Sequence, residues 1–394
     1  MSRLLVVGAS ILQLPAILKA KEMGHYVAVA DYDPEAVGIP YADEYYNAST
    51  IDIDAITDIA RVFKPDGIMT LATDMPMRSV AKASELLGLK SISFDTAVRA
   101  TDKYEMIRAF NECGVPAPWY FKIKTRGELL NIIEDLTFPC IMKPTDNAGS
   151  HGVVLVHNVD ELMKNYEYSR NNSRNGCVII EEYLKGDEVS VEVMVVNGNV
   201  HILQITDKIT TGSPHFVEMG HTEPSRMSDN IQRQIKIVAE NAVRAVCIDN
   251  GPSHVEMMVT ERGPVMIELG ARMGGDNITT HLVPLSTGID MTEATINVAL
   301  GGKPDLIPRC KKGSAIRYIE APVGKIKSIT GIGLAKSIPG VIQVSLTKNT
   351  GDYSTEISCS NDRIGFIISQ GNDADEAASI CESALKCIKI EIES

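Results

Sequence analysis

A chain of 394 residues exceeds the roughly 250 to 300 residues at which one hydrophobic core stops growing, so two or three domains are expected. Its net charge of −13 argues against nucleic-acid binding, which needs clustered lysines and arginines, and no apolar run approaches the roughly 18 residues of a membrane span. The eight cysteines are dispersed without a Cys-x-x-Cys pair, as is typical of reduced thiols in a cytoplasmic protein. Small molecules are therefore the expected partners.

The first hundred residues alternate short apolar strands with helical segments. Apolar runs at 4–7, 26–30 and 67–71 indicate strands, and the segment 14–23 between the first two indicates a helix. This alternation predicts a parallel sheet with helices on both faces, in a domain that spans 1–100.

The turn after the first strand partly matches a dinucleotide-binding fingerprint. Gly8 follows the strand, and Asp31 lies about 20 residues further on. Ser10 and Gln13, however, stand where the second and third glycines of that fingerprint would be. We therefore interpret this domain as a structural unit that forms one wall of a cleft. A nicotinamide-dependent enzyme is kept as an alternative function.

The middle of the chain predicts a second domain over 101–302. Thr101 or Asp102 is expected to cap a helix, and further strands and helices follow. The predicted strands lie at 119–123, 140–143, 153–156, 178–183 and 189–196, and the predicted helices at 128–134, 230–246 and 292–300. The remaining residues, 303–394, are rich in strand patterns and close with a helix near 374–387, which predicts a third, α+β domain.

A predicted hairpin supplies the sharpest geometric argument. If its turn is the three-residue loop 261–263 with Gly263 in the left-handed conformation, Glu256 faces Glu268 across the two strands. Two carboxylates with Cβ atoms about 5 Å apart suit a hard cation such as Mg²⁺, and without a cation they would repel each other. Two exposed glutamates on a solvated hairpin are the alternative. The apolar residues between them, on the opposite face, argue against it.

Arg272 follows Glu268 at a spacing of four residues. In an extended strand, Gly270 and Arg272 would share the face of Glu268, so Arg272 would point beside the cation at an anionic substrate. The four histidines at 151, 221, 254 and 281 lack metal-ligand spacing and are expected to be hydrogen-bonded or surface residues.

The segment 143–152 combines a lysine with a glycine-bearing loop. Lys143 ends an apolar strand, and Gly149, Ser150 and Gly152 offer backbone N–H groups to a phosphate. The segment is not a Walker P-loop, because no Gly-Lys-Ser or Gly-Lys-Thr follows at the required spacing. Glu181 and Glu182, at the end of another strand, are candidates for contact with an adenine, although acids in such positions are more often simply exposed.

The order of these features resembles the ATP-grasp superfamily, and the Asp-Asn-Ala-Gly-Ser and Glu-Leu-Gly-Ala-Arg-Met-Gly-Gly segments look most like its L-amino acid ligases. The resemblance implies an α/β fold: a Rossmann-like N-terminal domain, a two-subdomain ATP-grasp fold and a C-terminal strand-rich lid region. It also implies ATP and Mg²⁺ as cofactors, with one role for each of these residues: Lys103 and Lys143 on the phosphates, Glu181, Glu182 and Leu184 around the adenine, Glu188 on the ribose, and Glu256 and Glu268 on Mg²⁺. The family pattern is Glu-x-Asn-x-Arg, and in this chain Gly270 occupies the position of the asparagine. The third protein ligand of Mg²⁺ that the pattern implies is therefore missing at this position.

The same resemblance implies the chemistry. A substrate carboxylate attacks the γ-phosphate to give an acyl phosphate, and an amine then displaces phosphate to form an amide, with Lys143 and Arg272 as the catalytic residues. We expect a dipeptide-forming ligase that acts on small carboxylates and amines, without nucleic acid or membrane, and a homodimer is left open. A glycinamide ribonucleotide synthetase-like enzyme and a non-catalytic ATP-binding regulator are the alternatives. The polar segment from Thr206 to Pro224 is the expected acceptor pocket.

Overall fold

The computed structural model describes residues 1–147 and 151–393. Its N-terminal region is a parallel sheet of four strands in the order β3-β2-β1-β4, covered by helices. The elements are β1 Arg3–Val7, α1 Leu14–Glu22, β2 Tyr26–Asp31, β3 Glu44–Asn47, α2 Ile53–Phe63, β4 Gly67–Met69, α3 Met77–Leu87 and α4 Phe94–Thr101. Along β1, Leu4 and Val6 pack on one face and Leu5 and Val7 on the other, because successive strand residues point to opposite sides. The predicted parallel sheet with two covered faces is confirmed.

The turn after β1 is filled by its own side chains. Gly8 adopts a φ of +106°, and a Cβ there would lie 2.9 Å from the side chain of Gln13. Gln13 Nε2 donates to the Leu71 carbonyl at 2.7 Å, and Asp31 accepts the Ala9 N–H at 2.7 Å. These internal bonds favour the structural interpretation of this turn over a dinucleotide site.

The next unit is a small antiparallel sheet with the order β5-β8-β6-β7. The elements are α5 Lys103–Glu112, β5 Tyr120–Ile123, α6 Arg126–Asn131, β6 Cys140–Pro144, β7 Val154–Val156, α7 Val159–Asn171 and β8 Val178–Glu182. Helices α6 and α7 cover one face of this sheet around a core that includes Leu129, Met142 and Leu162. The other face borders a cleft. Gly149 and Ser150, in the predicted phosphate loop, lie outside the described residues.

A long antiparallel sheet forms the other side of the cleft. Its first elements are β9 Asp187–Val196, β10 Asn199–Thr210, β11 Glu218–Glu223, α8 Asp229–Ala245, β12 Gly251–Thr260, β13 Gly263–Gly270, α9 Val283–Thr287 and α10 Met291–Ala299. β9 turns into β10 through Asn197 and Gly198, both at positive φ, as a two-residue hairpin requires. Helix α8 packs its apolar face on this sheet through residues such as Ile235 and Val243. Helix α5 packs against α8 and β13.

The C-terminal segment extends the same sheet. Its elements are β14 Gly313–Ile319, β15 Gly324–Thr330, α11 Ile332–Lys336, β16 Val341–Leu346, β17 Tyr353–Ser354, β18 Gly365–Gly371, α12 Ala374–Cys387 and β19 Lys389–Ile392. The sheet has eight strands in the order β13-β12-β9-β10-β11-β14-β18-β16, so hydrogen bonds run across the predicted boundary at 302. The two flanking segments therefore share a sheet, and their division into separate domains stays a prediction. Within the described ranges, no helix has the length and apolarity needed to cross a bilayer.

Candidate active site

Two neighbouring cavities occupy the cleft between the small sheet and the β12–β13 hairpin. The first, of about 180 Å³, lies under the small sheet, and the second, of about 380 Å³, reaches to the N-terminal region. Their common wall consists of Lys103, Asn147, Glu256 and Glu268. A group bound in one cavity therefore borders a group bound in the other.

The hairpin pairs Glu256 with Glu268, as predicted, but by a different route. Thr260 pairs with Gly263, so the turn has two residues instead of the expected three. A β-bulge at Ile267 then adds one residue to β13 and restores the predicted pairing. Ile267 was expected on the apolar face, and because of the bulge it lines the first cavity beside Glu268.

Glu256 lies between two cationic partners that the sequence did not identify. Its Oε1 is 3.2 Å from Lys208 Nζ and 2.9 Å from His254 Nε2, and His254 Nδ1 lies 2.5 Å from Glu192. Burial alone would raise the pKa of Glu256, but Lys208 and His254 outweigh it and hold that pKa well below the usual range. Burial also disfavours a charged His254, yet Glu192 and Glu256 raise its pKa to about 9. The carboxylate of Glu256 is thus kept ionised and fixed in position.

Glu268 pairs with Lys103 across the cleft. Lys103 Nζ is 3.0 Å from Glu268 Oε2 and donates to the Asn147 carbonyl at 2.9 Å. Lys103 is the first residue of α5 because Asp102 caps that helix, accepting the N–H groups of Tyr104 and Glu105. Burial opposes ionisation of Glu268, but the charge of Lys103 prevails and lowers its pKa. The predicted cap therefore brings a lysine to the facing carboxylates.

Lys143 and Glu181 form a buried ion pair at the base of the first cavity. They lie on the neighbouring strands β6 and β8, and both side chains are less than a tenth exposed. Glu182 is further out, with its carboxylate 2.7 Å from Arg262 in the turn of the hairpin. Glu181, Glu182, Leu184 and Glu188 all line this cavity, so the residues that were expected around the adenine and ribose lie together.

Lys208 is the most buried cation of the site. Its Nζ lies 2.5 Å from Glu188, 3.2 Å from Glu256 and 3.5 Å from Glu218, and the side chain is 2% exposed. Burial disfavours the ammonium, but the three carboxylates raise its pKa well above the ordinary value. The segment 206–224 had been singled out for its polarity, and Lys208 lies within it.

The prediction that residues 206–224 line an acceptor pocket stays a prediction, and in the described part of the chain this segment contributes to the first cavity and not to the second. Phe216 and Glu218 line the first cavity, and His221 is buried, 3.5 Å from Asp276. The second cavity is lined instead by the hairpin and by residues before 180, including Ile51, Asp74 and Arg78 of the N-terminal region. Residues of the N-terminal region therefore form part of the wall of the second cavity.

Arg272 lines the second cavity and holds Asp74 with both arms of its guanidinium. Nε lies 3.1 Å from Asp74 Oδ1, and Nη2 lies 3.0 Å from Oδ2. Burial opposes the charge on Arg272, but Asp74 raises its pKa. A Cβ at Gly270 would lie 2.5 Å from Asp74 Oδ1 and 2.9 Å from Arg272 Nε, so the glycine leaves room for this pair.

Gly152 has a steric role. Its φ is +80°, and a Cβ there would meet Pro144 and Asn172 at 2.7 Å, so only glycine fits between these side chains. Its neighbours His151 and Val153, and not Gly152 itself, are among the residues that line the first cavity.

The donor set suits a hard cation with few protein ligands. Glu256 and Glu268 offer ionised carboxylate oxygens from paired positions, and these are ligands that Mg²⁺ prefers. Among the described residues, no group of three or more His, Cys, Asp or Glu side chains is arranged to hold a metal. Mg²⁺ commonly keeps several waters and binds substrate phosphates, so two carboxylates are sufficient for it.

Two protein-family models match separate parts of the chain. Residues 136–281 match the ATP-grasp domain, and residues 317–393 match the L-amino acid ligase C-terminal domain 2. The alanine–anticapsin ligase of Bacillus subtilis is 26% identical over 325 residues, which are 76% of this chain and 68% of that protein. The formate-dependent phosphoribosylglycinamide formyltransferase of Saccharolobus solfataricus is 23% identical over 99% of this chain and 97% of its own length.

A solved structure has the same fold over its whole length. The L-amino acid ligase from Bacillus licheniformis superposes with a TM-score of 0.86, covering 100% of this chain and 99% of that one at 23% identity. The chain therefore contains an ATP-grasp domain and an L-amino acid ligase C-terminal domain, in a fold shared with a solved L-amino acid ligase. It is an ATP-dependent ligase that forms carbon–nitrogen bonds.

Proposed function

We propose that this chain is an L-amino acid ligase that uses ATP and Mg²⁺ to join the carboxylate of one amino acid to the amine of another. The observation that carries the proposal is the pair of adjoining cavities with Lys103, Glu256 and Glu268 in their common wall. A nucleotide in the first cavity would present its γ-phosphate to a carboxylate in the second. The match of residues 317–393 to an L-amino acid ligase domain supports this substrate class.

In this proposal the first cavity holds ATP. Lys103 and Lys143 contact the phosphates, together with the loop that contains Gly149, Ser150 and Gly152, and the adenine and ribose are bound by Glu181, Glu182, Leu184 and Glu188. When bound, Mg²⁺ would be held by Glu256 and Glu268, and it would offset negative charge on the phosphates. Lys208 and His254 fix Glu256, so they position a ligand and do not touch the reacting atoms.

The reaction then has two steps. One oxygen of the donor carboxylate attacks the γ-phosphorus, the bond to the β-phosphate bridging oxygen breaks, and ADP leaves. The amine nitrogen of the acceptor attacks the acyl carbon, and the bond from this carbon to the oxygen that bridges it to phosphorus breaks. Phosphate leaves with the bridging oxygen, and the nitrogen loses a proton to water to give the amide. Arg272 orients the donor carboxylate and stabilises the oxyanion of the second step, because its charge faces the second cavity.

A second candidate is a ligase for another small metabolite with a phosphoribosyl amine as acceptor. It is favoured by the Saccharolobus solfataricus relative, which matches this chain over nearly the full length of both proteins. In this alternative the ATP-dependent activation of a carboxylate is the same, and only the acceptor differs.

A phosphate-release screen separates the two candidates. The protein is incubated with Mg·ATP and pairs of amino acids, with formate and phosphoribosylglycinamide, or with glycine and phosphoribosylamine, and products are identified by mass spectrometry. We expect phosphate release and a dipeptide mass with at least one amino-acid pair, and neither when either amino acid is omitted. Product only with one of the two phosphoribosyl acceptors would reject the amino acid ligase in favour of the second candidate.

A further inference from the structure

The guanidinium groups of two arginines in the second cavity form no ion pair with any carboxylate of the described residues. Arg78, in the first turn of α3, and Arg174, after α7, both line this cavity. Arg78 Nε donates to Thr101 Oγ1 at 2.7 Å, and Arg174 Nη2 lies 2.8 Å from the Met75 sulfur. Within the described ranges, no carboxylate oxygen lies within 4.0 Å of either guanidinium.

The other charges of this cavity are already balanced. Arg272 holds Asp74, Lys103 holds Glu268, and Glu256 lies between Lys208 and His254. Asp146 faces the same cavity but accepts the N–H groups of Arg174 and Asn175 and the hydroxyl of Ser173. The two remaining guanidiniums therefore present N–H donors and positive charge to whatever enters.

We propose that Arg78, assisted by Arg174, binds the free carboxylate of the acceptor amino acid, the carboxylate that does not react. This inference rests on the proposed function and names the substrate class of its acceptor side. A planar guanidinium matches a carboxylate with two parallel hydrogen bonds. Because Arg272 serves the activated carboxylate, a separate cation is needed for a second one, and Arg78 lies in the same cavity on the N-terminal region.

The surroundings of Arg78 suit this role. The contact with Thr101 uses Nε, and no other residue that the structure describes accepts a hydrogen bond from the two terminal nitrogens of the guanidinium, which leaves them for a ligand. Ile51, Ile53 and Met75 line the same cavity and offer apolar surface to the carbon skeleton of a substrate. Arg78 is linked through Thr101 to the segment that carries Lys103, so an acceptor held by Arg78 lies near the wall shared with the first cavity.

The test compares charged and neutral acceptors. The probes are the most active amino-acid pair of the phosphate-release screen and the same acceptor with its carboxylate converted to an amide, for example L-alanine and L-alaninamide. For Arg78→Gln we expect KM for the amino-acid acceptor to rise roughly 10- to 100-fold, the loss typical of a hydrogen bond between charged groups. KM for the amide should change little, so the preference for the acid over the amide should collapse.

Two further variants complete the design. Arg78→Lys keeps the positive charge but cannot form two parallel hydrogen bonds to a carboxylate. Compared with Arg78→Gln, it should therefore recover part of the preference for the acid over the amide. Arg61→Gln removes an exposed arginine paired with Asp58 on α2, and it should match the wild type in every assay. Carboxylate-dependent ADP–ATP isotope exchange, which needs only the donor, should be unchanged in Arg78→Gln and shows that the variant is folded.

The outcomes separate this inference from the proposed function. An unchanged acid-to-amide preference in Arg78→Gln, with normal exchange, would overturn the inference and leave the ligase activity intact. The ADP–ATP exchange of Arg78→Gln can also be compared with glutamate and with glutamine as the donor. If this exchange falls with glutamate but not with glutamine, Arg78 binds the side-chain carboxylate of the donor, and the inference is wrong. Absence of amino-acid-dependent exchange in the wild type would reject the proposed function itself.

Discussion

The two cavities of the cleft differ in how their charges are balanced. In the first cavity, Lys143 pairs with Glu181, and the lining carboxylates of Glu188, Glu218 and Glu256 all contact the buried Lys208. In the second cavity, the guanidinium groups of Arg78 and Arg174 have no carboxylate partner among the described residues. The first cavity is thus ordered before any ligand enters, whereas the second keeps cationic groups for an anionic substrate. This contrast fits a ligase whose nucleotide is constant and whose other substrates define its specificity.

The largest expected effect comes from the wall that both cavities share. Glu268→Gln removes a carboxylate that the proposal gives to Mg²⁺ and that also pairs with Lys103. We expect ATP turnover to fall by at least about 10²-fold, because the metal and a phosphate-binding lysine are both affected. Phosphate release at saturating Mg·ATP measures the loss.

Glu261→Gln is the matched control, since Glu261 is an exposed residue in the turn of the same hairpin. It should have wild-type activity. Thermal unfolding shows whether the Glu268→Gln protein is still folded. Near-normal turnover of a folded Glu268→Gln protein at ordinary Mg²⁺ would remove Glu268 from the metal site.

Arg272 should separate the cavities functionally. Arg272→Lys keeps the positive charge but cannot hold Asp74 through two parallel bonds, so donor carboxylates would be poorly oriented. We expect amide formation and carboxylate-dependent ADP–ATP exchange to fall roughly 10²-fold while ATP affinity stays within about twofold. Equilibrium nucleotide binding and exchange, measured on the same protein, make the comparison.

Arg309→Lys serves as control because Arg309 forms an exposed ion pair with Asp305. If ATP affinity fell in step with exchange in Arg272→Lys, Arg272 would belong to the γ-phosphate and the division between the cavities would be wrong.

A smaller effect is expected at Gly270, where the family pattern has asparagine. The Cβ of Gly270→Ala would lie 2.5 Å from Asp74 Oδ1, so the Asp74–Arg272 pair must shift. Because both contacts are with side-chain atoms, some relaxation is possible, and we expect donor-dependent exchange to fall about tenfold. Gly275→Ala is a close control, since no atom lies within 4 Å of a Cβ at that position. Equal exchange rates in the two variants would show that the space at Gly270 does not matter.

Capping residues and the spacing of apolar residues predicted several features of the fold and of the first cavity. The cap at Asp102 and the helix Ala374–Cys387 follow from capping residues and apolar spacing, and both were predicted within a residue. The pairing of Glu256 with Glu268 was predicted correctly from a turn of the wrong length. The alternation of side chains along a strand does not reveal a β-bulge. Here the bulge at Ile267 compensated for the error in the predicted turn length.

The contacts across the second cavity could not be predicted from the pattern of neighbouring residues in the sequence. Asp74 and Arg272 are 198 residues apart, and their contact exists only because the N-terminal region packs beside the hairpin. Nothing in the residues around Asp74 or Arg78 distinguishes them from ordinary loop and helix residues. Lys208 stood in a segment noted for its polarity, but its role needed the positions of Glu188 and Glu256 on other strands. Such contacts between distant segments carry no periodic signal in one sequence.

The last expected effect is on stability and contrasts two buried glutamates. Cationic neighbours keep the pKa of Glu256 low, whereas the fully buried carboxylate of Glu223 accepts the hydroxyls of Thr206 at 2.9 Å and Ser286 at 2.8 Å. Burial raises the pKa of Glu223 to about 8, because these two bonds offset only part of the cost and the charge of Glu192 adds to it.

The folded protein therefore holds this proton more tightly than the unfolded chain does, so the associated stability is complete below the unfolded pKa near 4.5 and is lost as pH rises to about 8. Glu223→Gln does not ionise and keeps its hydrogen-bonding shape. We expect its free energy of unfolding relative to wild type to rise between pH 5 and pH 8, by at most about 1.4 kcal/mol per pH unit, in urea titrations. Parallel stability curves for the two proteins would mean that Glu223 stays ionised in the fold and that hydroxyl donors alone suffice to hold a buried carboxylate.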